Sequence, residues 1–358
     1  WSSDVCSSDL AQAAAAFQRL LQEQPQFAAA DRVLFELGVV QSRDGKAADA
    51  ATTFQTLAEK FPKSGYAAEA WLEVGESRWA KEQYAEAARA YEAAIAAAGT
   101  APGRPALVAE QARHKLGWTH AMRKDHAAAA KAFADQLAAA PQGSFAKDAQ
   151  AMLGESLLAQ GKAAEAAQAF AQALAEPAGL SSPELRDAAF LRAAEAAARQ
   201  QKWEESLAIA ERFLAAAPQS PLAPEGRYAA AWARQNLGKL DEALAGYRAV
   251  ADGPRTEIAC RARLMEGEVL FEKELHKEAI KAFFKAAYGF GEQQAPPAFH
   301  PWQAQATFEA ARCFEVLQQP DQARKLYAEL VARYPDSQQT PAARKRLEAL
   351  GPGGGKKP

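Results

Sequence analysis

The sequence predicts an all-α solenoid of stacked helical hairpins, because three residue types recur in fixed register along the chain. A small residue is followed after twelve residues by Ala or Ser, and after sixteen by an aromatic ring in all but one copy. The small positions are Gly38, Gly75, Gly117, Gly154, Ala194, Ala231, Gly267 and Ala311. The ring positions are Phe54, Tyr91, Phe133, Phe170, Ala210, Tyr247, Phe283 and Tyr327. Copies 36 to 44 residues apart are typical of stacked units rather than one central core.

Each copy is predicted to hold two antiparallel helices. Around Gly154 they are expected at about 146–159 and 163–174, with Gly161 in the turn between them. Glycine suits this turn because it adopts the left-handed conformation without steric cost. Proline cannot continue a helix, so it is expected to end the second helix in several copies. These prolines are Pro62, Pro141, Pro218 and Pro335.

The solenoid is predicted to cover residues 11–350 as one domain. Residues 1–10, WSSDVCSSDL, match no repeat and are expected to be a non-native leader, while residues 351–358 are expected to form a flexible tail. A lone second helix with Phe17 and Pro25 precedes the first complete hairpin, and a capping helix follows the last. We therefore expect the native N-terminus, with any targeting segment, to be missing. Long linkers are expected at 99–108 and 291–301.

Composition argues against several classes of protein. The chain has 42 basic and 44 acidic residues, so no basic face is expected and nucleic acid is not an expected partner. No apolar run reaches the ~20 residues of a transmembrane helix. Three cysteines and five histidines form no ligand spacing, so neither a metal nor another cofactor is expected. No catalytic motif occurs, and an enzyme is not expected.

Short motifs give the repeats a family resemblance. They are Leu-Gly at 37–38, 116–117 and 153–154, Glu-Ala at 165–166 and 242–243, and Tyr-Pro-Asp-Ser at 334–337. The pattern resembles the tetratricopeptide repeat (TPR) family over nearly the whole chain. The lengthened period and the Tyr-Pro-Asp-Ser ending resemble the branch in bacterial envelope proteins, which includes BamD-type lipoproteins and the periplasmic partner of the Tol-Pal system. The resemblance implies a right-handed superhelix of about eight complete helix pairs, with a half repeat before and a cap after them. It also implies a non-catalytic adaptor in the periplasm or cell envelope.

In this family the first helices line a concave groove, and the resemblance places candidate binding residues three before, one after and four after each small position. The ring candidates are Phe35, Trp79, His114, Trp118, Tyr228, Trp232, Phe271 and Phe308. The carboxylate candidates are Glu76, Glu155, Glu195 and Glu268. We hypothesise that the rings grip an apolar or aromatic segment while the carboxylates attract Lys or Arg. The alternative is that the rings seal contacts between hairpins and that Glu is only a soluble helix former.

The function expected from these observations is a protein–protein interaction scaffold. It would bind an extended or helical segment of another protein in the concave groove, in cell-envelope assembly by resemblance. The alternative is a TPR interaction arm of a longer multidomain enzyme or signalling protein that has been truncated at its N-terminus.

Overall fold

The computed structural model describes residues 7–24, 26–100, 102–291 and 294–351. Within these ranges the regular structure is helical and no strand occurs, which confirms the all-α prediction. The chain divides into two compact units between Ala189 and Phe190. No helix in the described ranges combines the length and apolarity that crossing a bilayer requires.

Unit 1 contains four helix pairs, α2/α3 to α8/α9, and α1 packs on α2. Its helices are α1 (Ser7–Glu23), α2 (Ala30–Arg43), α3 (Ala47–Lys60), α4 (Ala67–Ala80), α5 (Tyr84–Ala98), α6 (Arg104–Met122), α7 (His126–Ala139), α8 (Ala146–Ala159) and α9 (Ala163–Ala173). The bounds of α8 and α9 agree with the predicted ones to within one residue. The first helices of neighbouring pairs also touch, as α4 with α6 and α6 with α8.

Helix α10 (Pro183–Arg199) contains the boundary between the units. The remaining helices, all in unit 2, are α11 (Trp203–Ala216), α12 (Ala223–Asn236), α13 (Leu240–Ala251), α14 (Glu257–Glu272), α15 (His276–Tyr288), α16 (His300–Val316), α17 (Pro320–Arg333) and α18 (Thr340–Leu350). Pairs α12/α13, α14/α15 and α16/α17 follow one another, and α18 packs on α17 as the predicted cap. First helices α12, α14 and α16 touch in sequence. Helices α10 and α11 form the eighth pair, since Ser206 Oγ donates to the Ala194 carbonyl at 2.9 Å. Within the described residues, eight helix pairs, a half repeat and a cap are thus confirmed; the handedness of the superhelix stays a prediction.

A small residue is needed at the small position because the aromatic ring sixteen residues later in the same hairpin packs directly against it. A Cβ atom built on Gly38 would lie 2.6 Å from Phe54 Cε1, and one built on Gly117 would lie 2.6 Å from Phe133 Cε1. Both rings are at most 2% exposed. Where the small position is Ala231, the facing residue is Gly246, whose added Cβ would lie 2.9 Å from the Ala231 Cβ. The ring therefore packs directly on the small position of its own first helix.

Every hairpin turn places the residue seven after the small position in the left-handed region. Glycine occupies it in three hairpins, as predicted for Gly161, whose φ is +79°. In the other five it is Glu82, Lys124, Gln201, Glu274 or Gln318, with φ between 56° and 61°. The next N–H bonds back to a carbonyl five residues earlier in all eight turns, as from Lys162 to Leu157 at 3.0 Å. This is the Schellman ending, which a non-glycine residue enters at a steric cost.

Proline acts differently at the two ends of a helix. The second helices α3, α7, α11 and α17 each end two residues before the predicted proline, consistent with the restriction on the residue preceding proline. In contrast, Pro105 and Pro301 lie in the first turns of α6 and α16, where proline is well tolerated. The predicted linkers at 99–108 and 291–301 are therefore shorter than expected, because their later residues are helical.

The predicted ends of the chain fall partly outside the described residues, which exclude 1–6, Pro25 and 352–358. Residues 7–10 of the predicted leader form the start of α1. Cys260 and Cys313 are free and buried, and burial raises the pKa of each thiol to about 12. Within the described ranges, no group of three His, Cys, Asp or Glu side chains is placed to hold a metal ion.

Candidate functional site

Four of the predicted rings contact the ring position of their own hairpin. Each lies three residues before a small position, with its ring centroid 5.4–6.0 Å from its partner's. The pairs are Phe35 with Phe54, His114 with Phe133, Tyr228 with Tyr247, and Phe308 with Tyr327. Phe35, His114 and Tyr228 are buried, and these ring contacts lie within one hairpin rather than between hairpins. Phe308 is half-buried.

In unit 1, the side chains of His114 and Trp118, one helical turn apart, are hydrogen-bonded to each other. Trp118 Nε1 donates to His114 Nε2 at 3.0 Å, and His114 Nδ1 lies 3.3 Å from Gln136 Oε1. Because indole can only donate, Nε2 is the acceptor and Nδ1 carries the proton. Burial lowers the pKa of His114, and its ring stacks on Phe145 at 4.7 Å. The predicted pair is therefore brought together, but its hydrogen bonds are already used.

The carboxylate of Glu76 in unit 1 also already has hydrogen-bond and ion-pair partners. It accepts from Tyr91 Oη at 2.8 Å and from Lys115 Nζ at 2.9 Å. The same ammonium lies 5.9 Å from the ring centroid of Trp79, which is half-buried and whose Nε1 is buried without a partner. Lys115 therefore links the two predicted residues and neutralises the carboxylate.

The other predicted glutamates differ in charge environment. Burial acts to raise the pKa of Glu195, but Arg192 and Arg199, each 2.7 Å away, outweigh it and the pKa is lowered. Glu155 is half-buried on α8. Glu268 on α14 is half-buried, and its closest hydrogen bond comes from Gln305 Nε2 at 3.4 Å. Burial first, and then the charge of Glu309, raises its pKa to about 7.

Glu268 belongs to a row of side chains that crosses the first helices of unit 2. Trp232, Glu268 and Arg312 each follow a small position by one residue, on α12, α14 and α16; we call them the inner row. Arg312 donates to Glu309 Oε2 at 2.7 Å, and its guanidinium lies 5.4 Å from the ring centroid of Phe271. Among the described residues, no Lys or Arg forms an ion pair with Glu268. Arg312 therefore pairs with Glu309, and its charge only partly offsets the burial of Glu268.

Two predicted rings border the inner row. Trp232 is half-buried and packs edge-on against Trp203 at 5.3 Å. Phe271, one turn after Glu268, is half-buried beside His276 at 4.9 Å. The predicted residues Trp232, Glu268 and Phe271 therefore lie on adjoining helices, with aromatic surface beside an unpaired carboxylate.

One element of this face was not predicted. The Arg261 guanidinium lies 4.6 Å from the ring centroid of Tyr228 and 4.8 Å from that of Trp302, on three successive first helices. Trp302 Nε1 donates to Glu257 Oε1 at 3.0 Å. Arg261 and Trp302 lie three and six residues before the nearest groove position, so the repeat register gave no signal for them.

Comparison with known families agrees with this architecture. Tetratricopeptide repeat models match residues 7–65, 35–105, 72–144, 151–221 and 228–299, and another matches 305–337. The chain belongs to the tetratricopeptide repeat family. Family and fold indicate a scaffold for protein–protein interaction, a class that is generally non-catalytic. No curated protein matches the sequence.

Solved structures share the fold at low sequence identity. The apo form of RapI is 12% identical, with a TM-score of 0.53 over 95% of this chain and 94% of that one. YrrB, described as a TPR protein with an unusual peptide-binding site, is 20% identical, with a TM-score of 0.45 over 59% of this chain and 96% of that one. The human IFIT1 dimer with m7Gppp-AAAA is 12% identical, with a TM-score of 0.46 over 98% of this chain and 87% of that one. These likenesses concern the fold alone, so the absence of a nucleic-acid partner stays a prediction.

Proposed function

We propose that the protein is a non-catalytic scaffold that binds an extended or helical segment of another protein across the first helices of unit 2. The segment would lie over the inner row on α12, α14 and α16. It would place an apolar or aromatic side chain near Trp232 and Phe271, and a Lys or Arg near Glu268.

The observation that carries this proposal is that Glu268 forms no ion pair with another described residue. A half-buried carboxylate without an ion pair is costly, and its raised pKa of about 7 reflects that cost. A partner cation would relieve it by forming a charge-assisted hydrogen bond. Glu76 and Glu195, at the same repeat position, already have cationic neighbours, so a partner cation would gain less affinity there.

The aromatic surface beside Glu268 also supports the proposed binding face. Half-buried Trp residues commonly contribute a large share of interface energy, because they bury much area at low entropic cost. Trp232 makes no hydrogen bond through Nε1 to another described residue, whereas Trp118 donates to His114. Trp232 therefore retains both a ring face and a donor for a partner.

The proposed biological setting is cell-envelope assembly, which rests on the lengthened repeat and the Tyr-Pro-Asp-Ser ending. The interaction arm of a longer enzyme or signalling protein is the competing proposal. Recovery of the upstream coding sequence separates them: a catalytic or signalling domain in the same reading frame would contradict a free-standing envelope scaffold.

Selection from a random peptide library tests the binding face and requires no identified partner. Peptides selected on the purified chain should be enriched in Lys or Arg next to an aromatic or aliphatic residue. Glu268→Gln and Trp232→Ala should each weaken the selected peptides about tenfold. Binding should strengthen as pH rises from 6 to 8, since Glu268 then loses its proton.

Glu278→Gln is the matched control, because Glu278 is exposed on the second helix α15. It should leave affinity unchanged. Selected peptides that bind Glu268→Gln and Trp232→Ala as tightly as the unmodified chain would contradict this binding face.

A further inference from the structure

A cavity of about 530 Å³ lies at the end of unit 2. It is bounded by the first turn of α16, the end of α17 and the loop before α18. Trp302, Tyr334, Pro297, Pro301 and Pro335 give it an apolar wall. This volume is within the usual range for small-molecule sites, which combine apolar walls with a few polar groups.

The polar group of interest is Arg333, which lines the cavity. Its side chain is 10% exposed, and Nη1 donates to Glu329 Oε1 at 2.7 Å. Its Nε and Nη2 atoms are buried and have no hydrogen-bond partner in the part of the chain that the structure describes. The guanidinium lies 5.4 Å from the ring centroid of Tyr288 and 5.2 Å from that of Tyr334, which hold it in place. Buried donors without partners are rare and energetically costly.

The two unpaired atoms form one edge of the guanidinium. The Nε–H and the outer Nη2–H are parallel donors, and a carboxylate accepts both through its two oxygens. Glu329 already uses the opposite end of the group, at Nη1. The free edge therefore has the geometry for a second, planar anion.

Two helix N-termini reinforce this preference for an anion. Helix α16 begins at His300 and α18 at Thr340, and both beginnings border the cavity. Neither helix has a side-chain hydrogen bond at its N-cap or an acidic residue in its first turn. The helix macrodipoles contribute partial positive charge at these two ends. Asp336, exposed on the rim, is the acidic side chain that lines the cavity.

We propose that this cavity binds a small carboxylate, with the carboxyl group on the free edge of Arg333 and an apolar or aromatic body against Trp302 and the prolines. A single negative charge fits better than a phosphate, because Glu329 and Asp336 offset much of the positive charge. The site does not depend on the proposed protein-binding face, so either can fail without the other.

Calorimetric titration of the purified chain tests the proposal with phenylacetate, phenylacetamide and inorganic phosphate. Phenylacetate should bind, and phenylacetamide and phosphate should bind at least about tenfold more weakly, since the amide lacks the negative charge and phosphate lacks the aromatic body. Equal binding of phenylacetate and phenylacetamide, or no binding of phenylacetate at millimolar concentration, would overturn the proposal.

A short peptide ending in phenylalanine, as the free acid and as the amide, distinguishes the source of the carboxyl group. Preference for the acid at an affinity equal to or above that of phenylacetate would assign the site to a chain terminus. Exclusion of the peptide acid, with phenylacetate still bound, would assign it to a free acid.

Variants with opposite expected signs complete the test. Arg333→Gln should weaken phenylacetate about tenfold or more, and Asp336→Asn should strengthen it about two- to fivefold by removing a rim charge. Glu348→Gln, exposed near the far end of α18, is the charge-matched control and should change nothing. Circular dichroism establishes whether Arg333→Gln is folded. Because Asp336 is exposed, its substitution keeps the test valid even if Arg333→Gln unfolds; unchanged affinity in Asp336→Asn would contradict the site.

Discussion

The Trp118 region of unit 1 and the Trp232 region of unit 2 carry similar residues at the same repeat positions, yet their polar groups are satisfied to different degrees. Trp118 donates to His114, and on the preceding first helix Glu76 is held by Tyr91 and Lys115. Trp232 has no such acceptor among the described residues, and on the next first helix Glu268 has no cation. Identical register therefore gives internal hydrogen bonding in one region and leaves polar groups with fewer partners in the other. The acceptor of Trp118 lies one turn away on its own helix, whereas the cation of Glu76 comes from the next first helix.

The largest expected effect tests what the two regions share. Phe133→Ala in unit 1 and Phe283→Ala in unit 2 should each lower the free energy of unfolding by about 3–5 kcal/mol, because each removes a fully buried ring. Hydrogen exchange resolved by helix would measure the loss in each unit. Leu107→Ala, at a side chain that is 63% exposed, should stay within about 0.5 kcal/mol. A cost below about 1 kcal/mol in either hairpin would contradict the role of the ring position.

The second prediction is that removing the charge of Glu268 and removing that of Glu76 change the free energy of unfolding in opposite directions. The folded pKa of Glu268, about 7, lies above its unfolded value, so its contribution to stability falls as pH rises from about 4.5 to 7. Glu268→Gln should therefore raise the free energy of unfolding at pH 8, by about 3 kcal/mol at most, and change little at pH 5. Glu76→Gln should instead lower it by about 1 kcal/mol at pH 8, since it loses the Lys115 ion pair. Denaturant titrations at the two pH values measure both; equal signs would remove the distinction between the regions.

Substitution of the two tryptophans gives a smaller contrast. Trp118→Phe should lower the free energy of unfolding by about 1 kcal/mol, because His114 Nε2 is left as a buried acceptor without its donor. Trp232→Phe keeps the contact with Trp203 and should stay within about 0.5 kcal/mol. Thermal unfolding of the pair measures the difference. If Trp232→Phe proved the costlier change, the open character of the unit 2 face would be wrong.

The smallest effect concerns the hairpin turns that both units contain. Lys124→Gly should raise the free energy of unfolding by about 0.5–1 kcal/mol, because Lys124 has a φ of 59° that glycine adopts without strain. Gly238→Ala, at a φ of 73°, should lower it by about 1 kcal/mol. Denaturant midpoints compared at constant slope would measure both changes. Equal responses at the two positions would show that the turn geometry is not maintained.

The sequence predicted the repeat and its helix bounds well, because the glycine and the aromatic ring that packs on it can be recognised by residue type and spacing alone. It did not predict that Glu82 or Gln201 adopts the left-handed conformation, since neither residue favours it. Nor could it separate Phe35, which is buried against its own hairpin, from Trp232, which is half-buried. Both lie on the predicted groove face, and the contacts around each ring, which the repeat spacing does not specify, decide their exposure. Arg261 was missed because its partners Tyr228 and Trp302 come from other repeats.

The shared hairpin ending has a consequence for how such a chain can change length. All eight turns have the same backbone geometry whichever residue occupies them. One hairpin can therefore replace another without a change in the connections to its neighbours. Ala231 and Gly267 occupy equivalent places 36 residues apart, so excision of residues 231–266 would fuse the start of α12 to the end of α14 in register. Duplication of the same stretch of gene would add a module without requiring any new connection.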